Sequence, residues 1–487
     1  MKIKLNIFDE SRIVRIFWYY SQIIIRIFQI YKLFYLLLKR GILMENKLQK
    51  QMTSRHIMML ALGGAIGAGL FKGSGEAIGI AGPSVILAFL LGGLVLFIVM
   101  NGLGRLVLDS DNVQGLSGII KPFLGERTAD FIDWLYWSLW MVNIIAEAVA
   151  AASFMQLWFP HVPSWVFVLI LALLTTLINL YSVRLFAETE YWLAFIKIAV
   201  IIILIVFSAY LVGREIFDIG FVDTISRMNS HGGFTPHGLN GLVNSLLVVI
   251  YSYGGSELIA ITVSETENPK TAIPKAIKGV MGRIISFYIV PMVLLLIIYR
   301  WDTLASTTAS PFVMVFQKMH IPFAIDIVNF VIVLALFSSI NSGVYASSRT
   351  LYFRVKENAG FTSKLAVLNK HQVPQRAVLF CTGTLYLGVI LSYFLGNKLF
   401  NYLVGSLSYS VLLTWLLISV AVFVLALKKG TKAEKFFSGL VILVLGLIFV
   451  GILMNNPIGV TLFTACIYLI ILFSYRKKQS ATVSEHI

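Results

Sequence analysis

Apolar runs long enough to cross a bilayer recur along this chain, and no other feature restricts its fold so severely. A helix of roughly 18 to 25 apolar residues spans the hydrocarbon core. About twelve such spans can be drawn, near 57–82, 84–107, 130–158, 163–182, 190–212, 239–263, 276–300, 323–348, 376–396, 400–427, 436–454 and 457–475. With 58% hydrophobic against 13% charged residues over 487 positions, and a mean hydropathy of +0.86, a soluble core is excluded. The expected class is an all-α polytopic membrane protein with its partner, the lipid bilayer, on every outer face.

The net charge of +16 does not point to nucleic acid, because it is split among short loops instead of filling one groove or helix face. Counted from residue 44, in the loops and at their edges, Lys and Arg number 24 on one side of the spans and 5 on the other. The richer side is cytoplasmic, and with twelve spans both termini lie there. Residues 1–43 are aromatic-rich and interrupted by Arg12, Arg15, Arg26, Lys32, Lys39 and Arg40. They form either an amphipathic surface helix or an upstream extension outside the native protein, with Met44 as the start of a single transport domain, 44–487.

Two spans are broken by glycine, at Gly63-Gly64-Ala65-Ile66-Gly67-Ala68-Gly69 and at Tyr253-Gly254-Gly255-Ser256-Glu257. In hydrocarbon an unpaired backbone group costs several kcal/mol, so a helix unwinds only where its amides and carbonyls meet protein, water or a ligand. Breaks opening two halves of similar length are the pattern of an inverted-repeat transporter. The halves are repeat one, about 57–212, and repeat two, about 239–427, with an appended pair at about 436–475. The loops hold no Walker-type phosphate loop, so transport is driven by gradients. Single scattered histidines at 56, 161, 231, 237, 320, 371 and 486, and Cys381 and Cys466 in apolar runs, offer no metal ligands, cofactor site or enzyme active site. Polar residues gathered at two breaks argue against a continuous pore.

The segments Gly63 to Phe71, Gly73-Ser74-Gly75, Ala81-Gly82-Pro83-Ser84, Trp158-Phe159-Pro160, Asn179-Leu180, Val183-Arg184-Leu185-Phe186, Ile196-Lys197, Gly254 to Ile259, Glu265 to Pro269 and Asn341 to Arg349 follow one another in order and spacing. Together they resemble the bacterial amino acid permeases of the amino acid-polyamine-organocation superfamily, from about residue 50 to the end. The resemblance implies a LeuT-like fold of 5+5 inverted repeats plus two helices, in the bacterial cytoplasmic membrane, and proton-coupled amino acid symport. Precursor-product exchange through the same pocket and a non-transporting amino acid sensor remain as alternatives. The chain departs from the pattern at Arg105 after span 2, at Ala68 where threonine is usual, and at Lys72 where an apolar residue is usual.

An amino acid is a zwitterion, so its pocket must offer donors to a carboxylate and acceptors to an ammonium. The first break, Ala65, Ile66, Gly67, Ala68 and Gly69, can supply amides, and carbonyls around Tyr253, Gly254 and Gly255 can take the ammonium. Glycine there permits close backbone approach and positive φ, or else tight helix packing. Tyr253 reads as an aromatic gate or as a packing aromatic. Lys197, a lone cation in span 5, needs a partner, a snorkelling route or a proton to lose. The resemblance places it where sodium-coupled relatives hold a second ion, which makes it a candidate for proton coupling. Glu257 and Glu147, the carboxylates deepest in apolar sequence, are candidate proton carriers, Glu257 also for the substrate site. Ser338, Ser339 and Ser342 either line the wall near Lys197 or bond their own helix carbonyls. Lys72 and Glu76, four apart, suggest a local ion pair. The expected substrate is a neutral amino acid.

Overall fold

The computed structural model describes residues 66–469, apart from 111–114, 182, 230, 260–267, 280–281, 283, 307–309, 322, 357–360, 370, 397, 456–457, 463, 467, together with Thr53, Arg55, His56 and Met59. The expectations for residues 1–43, for Gly63, Gly64 and Ala65, and for Glu265 to Glu267 fall outside the described residues. Helices account for every regular element among those described: α1 Ala68–Phe71, α2 Gly73–Ala81, α3 Val85–Asp109, α4 Gly115–Met155, α5 Ser164–Tyr181, α6 Val183–Ile219, α7 Gly238–Tyr253, α8 Pro269–Lys278, α9 Val290–Ile298, α10 Trp301–Ser306, α11 Pro311–Lys318, α12 Ala324–Lys356, α13 Gln375–Leu395, α14 Lys398–Lys429 and α15 Lys432–Asn455.

Eight stretches among the described residues are long and apolar enough to cross a membrane. The other expected spans are present in pieces. Span 1 is cut into α1 and α2, span 6 stops at Tyr253, span 7 is a five-residue π-helical turn Ile285–Ile289 continuing into α9, and helical residues 458–462 and 464–466 belong to span 12. α4 is two helices fused across Gly125, whose φ of 80° no L side chain adopts readily, so the membrane-crossing part begins after it. α8 starts at Pro269, where a missing amide costs nothing, and Pro274 lies inside it.

The core forms where α4 packs along α12 and α14, with α2 against α7 beside them and α5 against α13 outside. α15 is peripheral: only 17% of its apolar window is buried. It shows Leu440, Leu443, Leu447, Val450 and Met454 on one outward stripe, the surface that lipid would cover. Asp130 of α4 meets Arg354 of α12 at 2.7 Å. Arg105, a departure in the sequence, meets Glu434 of α15 at 2.8 Å. Glu434 is also held in a capping box: the Thr431 amide donates to its Oε2 at 2.8 Å and its own amide donates to Thr431 Oγ1 at 3.3 Å. The Thr431 amide, then Arg105, keeps its carboxyl below the usual carboxylate range.

Candidate functional site

The two breaks meet at the centre of the fold. Gly67 is extended, with φ −143° and ψ −151°, and its carbonyl accepts the first helical bonds of α1, from Leu70 at 3.1 Å and Phe71 at 3.2 Å. The expectation of positive φ is therefore corrected here; what glycine supplies at 67 is space. The helix is interrupted again at Lys72, and Ser310 Oγ donates to the freed Phe71 carbonyl at 2.6 Å. In span 6, α7 ends at Tyr253, and Gly255 takes the left-handed conformation (φ 90°) before a short 3-10 turn, Ser256–Leu258. The carbonyls released there are met by hydroxyls, Ser256 Oγ donating to Tyr253 O at 2.9 Å and Tyr288 OH to Ser252 O at 2.9 Å. A carbonyl has a second lone pair, so these remain able to face an ammonium.

A cavity lies between the breaks, with both glycine patches in its wall: Gly67, Gly69, Gly254 and Gly255. Span 3 contributes Leu139, Trp140, Asn143 and Glu147, span 6 Tyr251 and Ser252, span 8 Ser339, and span 10 Leu407 and Val411. Backbones approach closely here. A Cβ on Gly69 would lie 2.4 Å from Ser252 Cα, and one on Gly67 2.6 Å from Glu147 Oε1. A Cβ at either position would strike a neighbour, so close packing at the cavity wall accounts for both glycines.

Glu147 is the hub. Its buried carboxylate accepts the Ala68 amide on both oxygens, at 3.2 and 3.0 Å, and Tyr251 OH at 3.3 Å. Ser339 lies beside it, and the ammonium of Lys197 acts on it electrostatically. Lys197, 1% exposed on α6, is acted on by Glu147 and also by Glu190. Ser338 of α12 donates to Glu190, and Ser342 and Asn341 face the same carboxylate without completing hydrogen bonds to it. Of the residues named from sequence, the structure brings Gly67, Ala68, Gly69, Gly254, Gly255, Glu147, Lys197, Ser338, Ser339 and Ser342 together; Ser339 lines the cavity, and Ser338 donates to Glu190 with Ser342 beside it.

Three expectations are corrected by position. Tyr253 is no gate in this conformation: its OH donates to Phe89 O at 2.8 Å and its ring packs on Phe89 and Tyr288, away from the cavity. Two residues along a helix is about 200°, so Tyr251 takes the facing position instead. Glu257 is buried but does not line the cavity. It accepts its own break's Gly255 amide at 3.3 Å and Trp415 Nε1 at 3.5 Å, bracing span 6 against span 10. Lys72 senses Glu76 electrostatically but is placed elsewhere, with Nζ 3.3 Å from Ser153 Oγ and 4.4 Å above the Phe400 ring. Sequence reasoning did not name Tyr251, Trp140, Asn143 and Ser252 of the cavity wall, nor Leu139, Leu407 and Val411, nor Glu190 outside it on the helix of Lys197. Glu190 had a signal: it precedes Lys197 by seven residues, two helical turns on one face. Among the described residues no cluster of His, Cys, Asp and Glu could hold a metal ion.

The family model described as amino acid permease matches residues 56–478. The aromatic amino acid permease FywP of Lactococcus lactis subsp. cremoris is 45% identical over 449 residues, 90% of this chain and 98% of that protein. The amino acid permease YvbW of Bacillus subtilis is 45% identical over 441 residues, covering 89% and 98%. The aromatic amino acid transport protein AroP of Escherichia coli is 31% identical over 453 residues, covering 91% and 98%. A crystal structure of the Eremococcus coleocola manganese transporter superposes with a TM-score of 0.52 over 86% of this chain and 92% of that one; at 16% identity the likeness is one of fold.

Proposed function

Because the chain belongs to the amino acid permease family, whose members are multi-pass membrane proteins, we propose that it takes up an aromatic, and hence neutral, amino acid together with a proton. The observation that carries this reading is the Ala68 amide at the first break, already bonded to a carboxylate, that of Glu147. A substrate carboxylate would seek the same donor. Two carboxylates about 4 Å apart repel by about 4 kcal/mol at an effective dielectric near 20, close to a thousandfold in affinity. The substrate binds readily only when Glu147 carries a proton, and that makes substrate and proton arrive together. In this reading Lys197 takes part in the coupling step and Glu257 braces span 6 against span 10.

The side chain would lie among Leu139, Trp140, Leu407 and Val411 over the glycine floor at 254 and 255. Trp140 Nε1 has no hydrogen-bond partner within the described structure, so it can meet a polar atom of the substrate. The names of two relatives, FywP and AroP, support an aromatic side chain. The repeats at about 57–212 and 239–427 and the cytoplasmic termini complete the reading. The test is accumulation of labelled phenylalanine by proteoliposomes under an inward proton gradient, with all other amino acids as competitors. Tyrosine and tryptophan should compete best, and Glu147→Gln should bind substrate yet fail to accumulate it. Accumulation indifferent to the proton gradient, or best competition by a basic amino acid, would refute the reading.

A further inference from the structure

Span 5 carries a second buried carboxylate that the mechanism above leaves without a task. Glu190 lies two turns before Lys197 on α6, about 10 Å along the axis, and both side chains leave the same face. With the termini cytoplasmic, α6 runs outward, so Glu190 is on the cytoplasmic side of Lys197. It is 4% exposed. Ser338 of α12 donates to its carboxylate, with Oε2 at 2.9 Å. Around it α12 offers Ser342, whose Oγ has no completed hydrogen bond, and Asn341, whose Oδ1 accepts Asn179 Nδ2 of α5 at 2.6 Å. The charge acting on Glu190 is Lys197, and the charges acting on Lys197 are Glu190 on its own helix and Glu147 on α4; residues 338–342 of α12 bring no ionisable group.

One ammonium thus stands between two buried carboxylates. Fully ionised, the three groups carry a net charge of −1, and a buried charge without compensation is costly. One added proton makes the set neutral. We propose that Glu190 is the inner end of the coupling network, where the transported proton is handed on toward the cytoplasm. The proton that neutralises Glu147 when substrate binds moves by two transfers. An N–H bond of the Lys197 ammonium breaks as an O–H bond forms on Glu190, and the O–H bond of Glu147 breaks as the N–H bond on Lys197 is restored. Lys197 ends as it began, Glu147 regains its charge, and Glu190 holds the proton until water on the cytoplasmic side takes it.

This inference rests on the proton-coupled reading and fails separately from it. Full-length protein in proteoliposomes is assayed for counterflow, the exchange of labelled against unlabelled phenylalanine at equal pH, and for accumulation under an inward proton gradient. Counterflow needs no net proton release. Glu190→Gln should therefore retain counterflow and lose gradient-driven accumulation, and Glu190→Asp should restore accumulation with an altered pH profile. Glu190→Gln that accumulates substrate as the wild type does would overturn the proposal, as would loss of counterflow in a variant that still binds phenylalanine. If Glu190→Gln fails to reach the membrane, Glu190→Asp decides alone: a displaced pH profile of accumulation supports the role and an unchanged profile overturns it. Absence of both activities in the wild type would instead sink the transport reading.

Discussion

Gly67 and Gly69 are two residues apart, and the structure gives them different penalties for one added methyl. On Gly67 the new Cβ meets Glu147 Oε1 at 2.6 Å and Oε2 at 3.0 Å, the far end of a flexible side chain. The carboxylate can turn aside, but the methyl then occupies the space a substrate carboxylate needs to reach the Ala68 amide. A hydrogen bond to a charged group is worth about 1.5–3 kcal/mol, so phenylalanine binding should weaken roughly tenfold to a hundredfold. On Gly69 the Cβ meets Ser252 Cα at 2.4 Å, which is backbone and cannot turn aside. Spans 1 and 6 must part by about 1 Å, an overpacking cost of about 1–3 kcal/mol in stability, and the displaced site should lose binding further. Equilibrium binding and Tm of the purified protein separate the two cases: Gly67→Ala keeps its Tm and Gly69→Ala does not. A Gly67→Ala protein with undiminished phenylalanine binding, or a Gly69→Ala protein with wild-type Tm and binding, would refute the reasoning.

Lys197→Ala should abolish accumulation driven by a pH gradient while leaving phenylalanine binding measurable, since the amides and carbonyls of the site belong to spans 1 and 6; wild-type accumulation would remove the lysine from the mechanism. Lys72→Met deletes a cation–π contact with Phe400 just beyond the break, worth about 0.5–2 kcal/mol, and in the proposed orientation, with span 1 running outward, should speed external thiol labelling of a Leu407→Cys probe in the cavity. Unchanged labelling would show that this contact does not hold the outer side closed. Arg105→Ala should lower Tm slightly at neutral pH. Because Glu434 has a lowered folded pKa, its contribution is present above the unfolded carboxylate pKa and fades as pH falls through the folded one. The Tm difference between Arg105→Ala and wild type should close in acid, and a difference that persists there would assign it to packing.

The spans and breaks were legible because the bilayer leaves few choices: apolar runs of sufficient length must be helices, and glycine-rich interruptions must face something polar. The site was legible wherever a residue's neighbours in sequence are also its neighbours in space, as at Gly67 to Gly69 and at Gly254 and Gly255. It was less so where partners come from other helices. Nothing near Glu147 in sequence names the Ala68 amide, 79 positions away. Tyr253 stands beside the break, and adjacency in sequence favoured it over Tyr251, although a helix turns two consecutive alternate residues to opposite sides. Lys72 shows the same limit from the other direction. An i,i+4 lysine and glutamate is a sound expectation on an unbroken helix face in water. Here the helix is interrupted at Lys72, and the ammonium lies within reach of an aromatic face on α14 and a hydroxyl on α4. In a largely desolvated setting those contacts outweigh an exposed pair worth a few tenths of a kcal/mol. Lys72 therefore ties spans 1, 3 and 10 together just beyond the cavity, a link that only the folded chain reveals.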